Sequence, residues 1–263
     1  MIITQPFRPF RSALNKLHIN GNKVSESYYP LLIDTNSIKY TAGARDEIDA
    51  TNQEKLKPFN FILFHPSRLF IEQKKNYVEM GVWKGNDNLF KGFAIFLKKY
   101  NITDACISMP ERSHSPDILL AKQIITRLGI ENNVVWLKPP SDEGFSRNEL
   151  VKFYSLSNIV ADEFATGWFG SIVVEGLACA KPTFCYVDED VMKKLYPWHP
   201  IISVKEPEAI AEKIAEFYFD QETARAQGEI SRKWAVEFHS LERGTNTYIN
   251  NFQRDLREIF RLD

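Results

Sequence analysis

Residues 158–187 read NIVADEFATGWFGSIVVEGLACAKPTFCYV. NIVADEF (158–164) carries the short apolar run of a buried strand. TGWFG follows, with Gly167 and Gly170 allowing close backbone approach after that strand. From Ser171 to about Ala180 the apolar residues continue as a helix, and PTFCYV (182–187) returns to a strand pattern. Strand, turn, helix and strand in this order form the unit that lays two strands side by side and parallel.

The same alternation extends in both directions. NFILFH (60–65), ACISM (105–109) and NVVWL (133–137) read as further buried strands, and IISV (201–204) as the last of six. Between them, Leu89, Phe90, Phe93, Ala94 and Leu97 share one helical face. Ser115 as N-cap, Pro116 at the first helical position and Gly129 as the stop bracket a second helix. Ser146 and Glu149 have the spacing of a capping box for a helix bearing Leu150, Phe153 and Tyr154. Helices rich in Ala, Glu and Lys follow from Pro207. The last places Tyr248, Phe252, Leu256 and Ile259 on one side, an apolar face that needs something to dock on. The pattern predicts an α/β fold: a doubly wound parallel sheet of about six strands, helices on both faces, and C-terminal helices beyond. Residues 59–240 form this domain and 241–263 its final amphipathic helix. Residues 1–58 differ, with two early prolines, a polar stretch at 41–57 and one apolar patch, YYPLLI. They are expected to be the remnant of a preceding domain plus a linker, with residues 1–40 as an appendage.

Composition narrows the function classes. The 33 Lys+Arg nearly balance the 34 Asp+Glu in 263 residues, which argues against a dedicated nucleic-acid binder. Cys106, Cys179 and Cys185 are too few, and odd in number, for a disulfide framework, so a reducing, cytoplasmic compartment fits best. No stretch approaches the roughly 20 apolar residues of a membrane span, and MIITQPFRPFR lacks the apolar run of a signal peptide. Peripheral attachment to a membrane stays open. G-x-G-x-x-G, the phosphate-loop motif, H-E-x-x-H and C-x-x-C are all absent. His18, His65, His114, His199 and His239 show no metal-ligand spacing and read as structural or exposed.

Three places carry chemistry. Arg68 follows the first strand (FHPSR) and Lys84 precedes the next helix (WKGND), and both belong at the carboxyl ends of the strands, where open α/β sheets bind ligands. Arg offers phosphate a bidentate fork and Lys a point charge, and removing either is expected to weaken that binding with the fold intact; the plainer reading is two surface cations on a loop. In GWFGSIVVEGLACAKP (167–182), Ser171 opens a helix whose free N–H groups suit an anion. Glu175, one turn further, is placed either to accept ribose hydroxyls or simply to sit exposed on an amphipathic helix. Asp188-Glu189-Asp190 has the spacing of a divalent-metal clamp, but it also fits the N-cap and first turn of a helix, the reading preferred here.

Taken together, FHPSR, WKGND, NELVKFYSLSNIV (148–160) and GWFGSIVVEGLACAKP resemble the carboxyl-terminal domain of retaining GT-B glycosyltransferases of family four, over about residues 59–240. YYPLLIDT (28–35) is similar to the strand that enters that domain. The resemblance implies a Rossmann-like half of a GT-B fold and a donor site for a nucleotide sugar. Arg68 and Lys84 would hold the diphosphate and stabilise it as a leaving group; Gly170 and Ser171 would present backbone amides to it. Glu175 matches the second Glu of the family's Glu-x7-Glu motif and would bind the ribose, while the loop at Lys138 and Pro139 would face the base. It implies transfer to a sugar or lipid-linked acceptor without a bound metal or other cofactor. Two departures stand out. Gly167 occupies the place of the first motif Glu, leaving Asp162 and Glu163 as the nearest acids to take over its contact. The acceptor-side domain is also almost absent, so a truncated gene or a second chain supplying the other wall is expected, as is a module that binds without transferring.

Overall fold

β1 (Phe61–Phe64) is buried at every position, because its two faces both serve as core: Ile62 and Phe64 point into one hydrophobic cluster, Phe61 and Leu63 into another. The computed structural model describes residues 2–3, 24–25, 29–112, 115–141 and 144–260. Within them β1, β2 (Ala105–Pro110), β3 (Val134–Leu137), β4 (Ile159–Ala161) and β5 (Thr183–Phe184) form one sheet of order β3-β2-β1-β4-β5. Every pairing is parallel, with Phe61 opposite Ala105 and Leu63 opposite Ile159. The doubly wound α/β reading therefore holds. The expected sixth strand at 201–204 is reduced to one parallel bridge between Phe184 and Ile202, since its neighbour β5 offers only two residues of edge.

Helices cover both faces. α4 (Asn86–Tyr100), α5 (Ile118–Leu128) and α9 (Pro207–Phe219) enclose one cluster; α6 (Arg147–Leu156), α7 (Ser171–Ala178) and α10 (Gln221–His239) enclose the other. α7 lies tightly on the sheet because Gly176 lacks a side chain: a Cβ there would meet Thr183 Oγ1 and Val160 Cγ1 at 2.9 Å. α8 (Glu189–Leu195) is N-capped by Asp188, whose carboxylate accepts from the Asp190 and Val191 amides at 3.1 and 3.3 Å, so the capping reading of this acidic run is correct. The Ser146–Glu149 capping box also forms in full. The start of α5 is a correction. The helix begins at Ile118, and Ser115 and Asp117 accept instead from the Leu69, Ile71 and Glu72 amides, tying down the loop after β1. A tertiary partner has displaced a local cap.

Residues 29–58, part of the 1–58 stretch expected as a domain remnant plus linker, pack against the sheet. Ile33, Ile38, Ile48 and Leu56 are buried in the α7-side cluster, and α1 (Ala44–Glu47) and α2 (Ala50–Leu56) lie beside α6 and β3. Ile33 also bridges Ser240, and the Arg232 guanidinium on α10 donates to the carbonyls of Thr35, Ile38 and Ala178 at 2.7–3.0 Å. α11 (Leu241–Phe260) keeps Tyr248, Ile249 and Phe252 exposed, with the Tyr29 ring tilted against that of Tyr248 at a centroid distance of 4.8 Å and its hydroxyl donating to Asp255 at 2.8 Å. Residues 2–3 pair in parallel with residues 24–25. The rest of the expected appendage before residue 29, His18, His114 and the Ile259 side chain lie outside the described residues.

Candidate functional site

The strand order reverses between β1 and β4, and a crevice opens at their carboxyl ends, the position where open α/β sheets take ligands. It is a cavity of about 430 Å³ whose lining includes Arg68, Lys84, Asp162, Gly170, Ser171 and Glu175. Five of the eight expected site residues are thus brought together. Lys138 and Pro139 instead line a neighbouring cavity of about 530 Å³. Gly167 lines neither: it is buried at φ +78°, and its carbonyl accepts from the Asp188 amide at 2.8 Å.

The floor is built from strand ends. The Lys84 backbone is fixed on two sides, its amide donating to Phe70 O at 3.0 Å and its carbonyl accepting from the Phe164 amide at 2.7 Å. Gly85 follows at φ +60°, against Ala165, where only glycine enters without strain. The Lys84 ammonium lies 3.0 Å from Asp162 and 3.4 Å from Glu163. Ser67 Oγ donates to the same Asp162 oxygen at 2.7 Å. Burial works against the Lys84 charge, but the two carboxylates outweigh it and hold its pKa above the ordinary lysine value. Burial pushes Glu163 up to about 8 despite Lys84, and its Oε1 has no hydrogen-bond partner. Lys84 is therefore not a free surface cation: it pairs with two buried acids, and its removal is expected to cost stability.

Below the floor, His65 is fully buried. Asn86 Oδ1 accepts from the Phe70 amide, so its Nδ2 donates to His65 Nε2 at 2.9 Å, and His65 Nδ1 donates to Ala161 O at 2.9 Å. Both ring nitrogens are satisfied in one neutral tautomer, and burial lowers the pKa to about 4. His65 supports the switch point and has no proton to exchange near neutrality. Asn86 spends its side chain in this way, and the amino end of α4 does not line the cavity.

The wall is built from α6 and α7. Gly170 leaves the first turn of α7 without a side-chain cap, so amide N–H groups remain for an anion. Glu175 is 3% exposed, which overturns the plainer reading of an exposed helical acid. Tyr154 donates to its Oε2 at 3.1 Å and Arg147 reaches its Oε1 at 3.3 Å. Burial raises its pKa while Arg147 pulls it down. Arg112 and Arg147 also line the cavity, so four cations face two carboxylates. Burial, and next the charge of Arg68, lowers the Arg112 pKa, as expected for a guanidinium facing a like charge. Sequence reasoning missed Arg112, Arg147 and the Tyr154 hydroxyl. The signal for Arg112 was its place just past the carboxyl end of a strand, the rule that found Arg68.

No group of three or more His, Cys, Asp or Glu side chains placed to hold a metal occurs among the described residues. No described helix is long and apolar enough to cross a membrane. No family model and no curated protein matches the sequence. Solved structures do. HepE of Anabaena, in complex with UDP and glucose, aligns with a TM-score of 0.70 at 17% identity, over 97% of this chain and 63% of its own. The likeness is one of fold. The C-terminal domain of the group 1 glycosyltransferase LpcC from Francisella tularensis aligns at 0.55 and 16% identity, over 78% of this chain and 96% of that domain. The sucrose-phosphate synthase of Thermosynechococcus elongatus aligns at 0.65 and 16%, over 97% of this chain and 57% of its own. The chain thus spans less than two thirds of the length of HepE and of the synthase.

Proposed function

We propose that this chain is the donor-binding half of a glycosyltransferase and takes a nucleoside-diphosphate sugar in the charged cavity. The observation that carries this reading is the gathering of four cations around an uncapped helix amino terminus at the switch point of a glycosyltransferase fold. Arg68 and Lys84 hold the diphosphate, with Arg112 beside them, and their charges stabilise it as it departs from the sugar. The amides at Gly170 and Ser171 face the phosphates. Glu175 binds the ribose: each of its oxygens makes one bond here, and a carboxylate has acceptor sites to spare for hydroxyls. The Lys138–Pro139 loop faces the base from the neighbouring cavity. Transfer is of the retaining, family-four type, to a sugar or lipid-linked acceptor held by a second wall, without a resident metal or cofactor.

Calorimetric titration with UDP, GDP, ADP and inorganic pyrophosphate tests it. Charge-assisted bonds of on the order of 1.5–3 kcal/mol imply that Arg68→Ala weakens binding roughly ten- to a hundredfold. Arg68→Lys also loses affinity, because a point charge does not replace the fork. Glu175→Ala is expected to weaken nucleotide but leave pyrophosphate nearly unchanged. If Arg68→Ala binds every ligand like the parent, the clamp is wrong. A second reading, a module that binds donor without transferring it, is favoured by Gly167, which offers no side chain where the resembled family has a Glu. Donor hydrolysis and sugar transfer, assayed beside binding, separate the two.

A further inference from the structure

α6 presents two faces to two cavities. Arg147, Leu150 and Tyr154, at helical spacing, line the charged cavity, whereas Glu149, Lys152 and Phe153 line its neighbour. The helix is therefore the ridge between them. At its head stands Phe145, which among the described residues is the one shared by both linings. The adjoining capping box fixes the backbone there, and the ring packs edge-on against Phe153 with centroids 4.9 Å apart. Phe145 is half-buried; the other aromatic rings of the two linings, Tyr154 and Phe153, are buried.

A second observation concerns the loop beyond β3. The side-chain amide of Asn52 takes both polar groups of the Lys138 backbone, donating to its carbonyl at 3.0 Å and accepting from its amide at 2.9 Å. The loop is pinned at Lys138, whose backbone polar groups are both engaged. Between the two cavities, Phe145 is the shared group that offers a flat heterocycle an aromatic face.

We infer that Phe145 is the stacking platform for the nucleobase of the ligand: phosphates and ribose occupy the charged cavity, and the base lies over the Phe145 ring on the ridge, toward the second cavity. The inference rests on the donor-site reading and adds to it the group that binds the base. Stacking tolerates any base, since each has a π-face, so Phe145 sets affinity for nucleotides as a class.

The test is calorimetric titration of the wild type, Phe145→Leu and Phe145→Tyr against UDP, GDP and inorganic pyrophosphate. Leu keeps the packing on Phe153 but loses the π-face; Tyr keeps both. Phe145→Leu should weaken both nucleotides by roughly five- to a hundredfold, with pyrophosphate affinity unchanged, and Phe145→Tyr should restore wild-type binding. Nucleotide binding by Phe145→Leu equal to wild type would overturn the platform while leaving the donor site standing. An equal loss of nucleotide and pyrophosphate would overturn it too, by showing that the ring only supports α6. A wild type that binds pyrophosphate but neither nucleotide would remove the donor-site reading and this inference with it.

Discussion

On the floor of the charged cavity the Lys84 ammonium lies between Asp162 and Glu163 with 17% of its side chain exposed; on the wall Arg147 reaches Glu175 from a side chain that is 59% exposed. The distances are alike, 3.0 and 3.3 Å, yet the surroundings are not. A pair removed from water interacts strongly, and losing one partner strands a charge; on the wall Glu175 is buried too, but its cation reaches it from solvent and Tyr154 holds its other oxygen. The floor also carries two carboxylates per cation, one with an oxygen unpartnered, whereas on the wall both Glu175 oxygens are satisfied. The floor thus belongs to the fold's stability as much as to the site. The wall is an electrostatic surface that a ligand can rearrange.

Substitutions can break this contrast. The largest effect is expected from Lys84→Ala, which leaves buried carboxylates without their cation: about 3–5 kcal/mol of stability lost, read from the urea midpoint. A loss under ~1 kcal/mol, the range of a surface pair, would place Lys84 with the wall. A smaller effect concerns Glu163, whose folded pKa of about 8 lies above the ordinary 4.5. Between those values the folded state keeps a proton that the unfolded state has released, so stability falls as pH rises through this window, by a few kcal/mol at most. Glu163→Gln should flatten that part of the pH–stability curve. If wild type and variant keep the same slope from pH 5 to 8, burial is not what perturbs Glu163. The smallest is Arg147→Ala, expected to change stability by no more than about 0.5 kcal/mol; a change above ~2 kcal/mol would make the wall as structural as the floor.

The same divide separates what the sequence made legible from what it did not. Strands buried on both faces announce themselves as apolar runs, which is why β1, β2 and β3 were found almost to the residue. At 201–204 the apolar run is present, but a partner strand of two residues supports only one bridge. Arg68, Lys84, Gly170, Ser171 and Glu175 were legible because the ends of strands and the starts of helices are local events. The partners of Lys84 lie 78 and 79 positions away, and no periodicity joins them to it. Tyr154 was correctly placed on the apolar face of α6, but its hydroxyl finds Glu175 only through the packing of α6 on α7. Ser115 and Asp117 satisfy every local rule for a cap and still serve the loop of Arg68, because that loop's amides are buried and need acceptors.

Arg232 bears on how the cavity can move. Its planar fork holds the carbonyl of Ala178, at the far end of α7, together with those of Thr35 and Ile38, so three separate stretches of chain share one anchor. A slide of α7 along its own axis by one residue's rise, about 1.5 Å, would pull Ala178 off that anchor while the other two carbonyls stayed behind. The helix whose amino end faces the cavity is an anvil rather than a piston. On the opposite side, Ser115 and Asp117 lace the loops of Arg68 and Arg112 into a single unit.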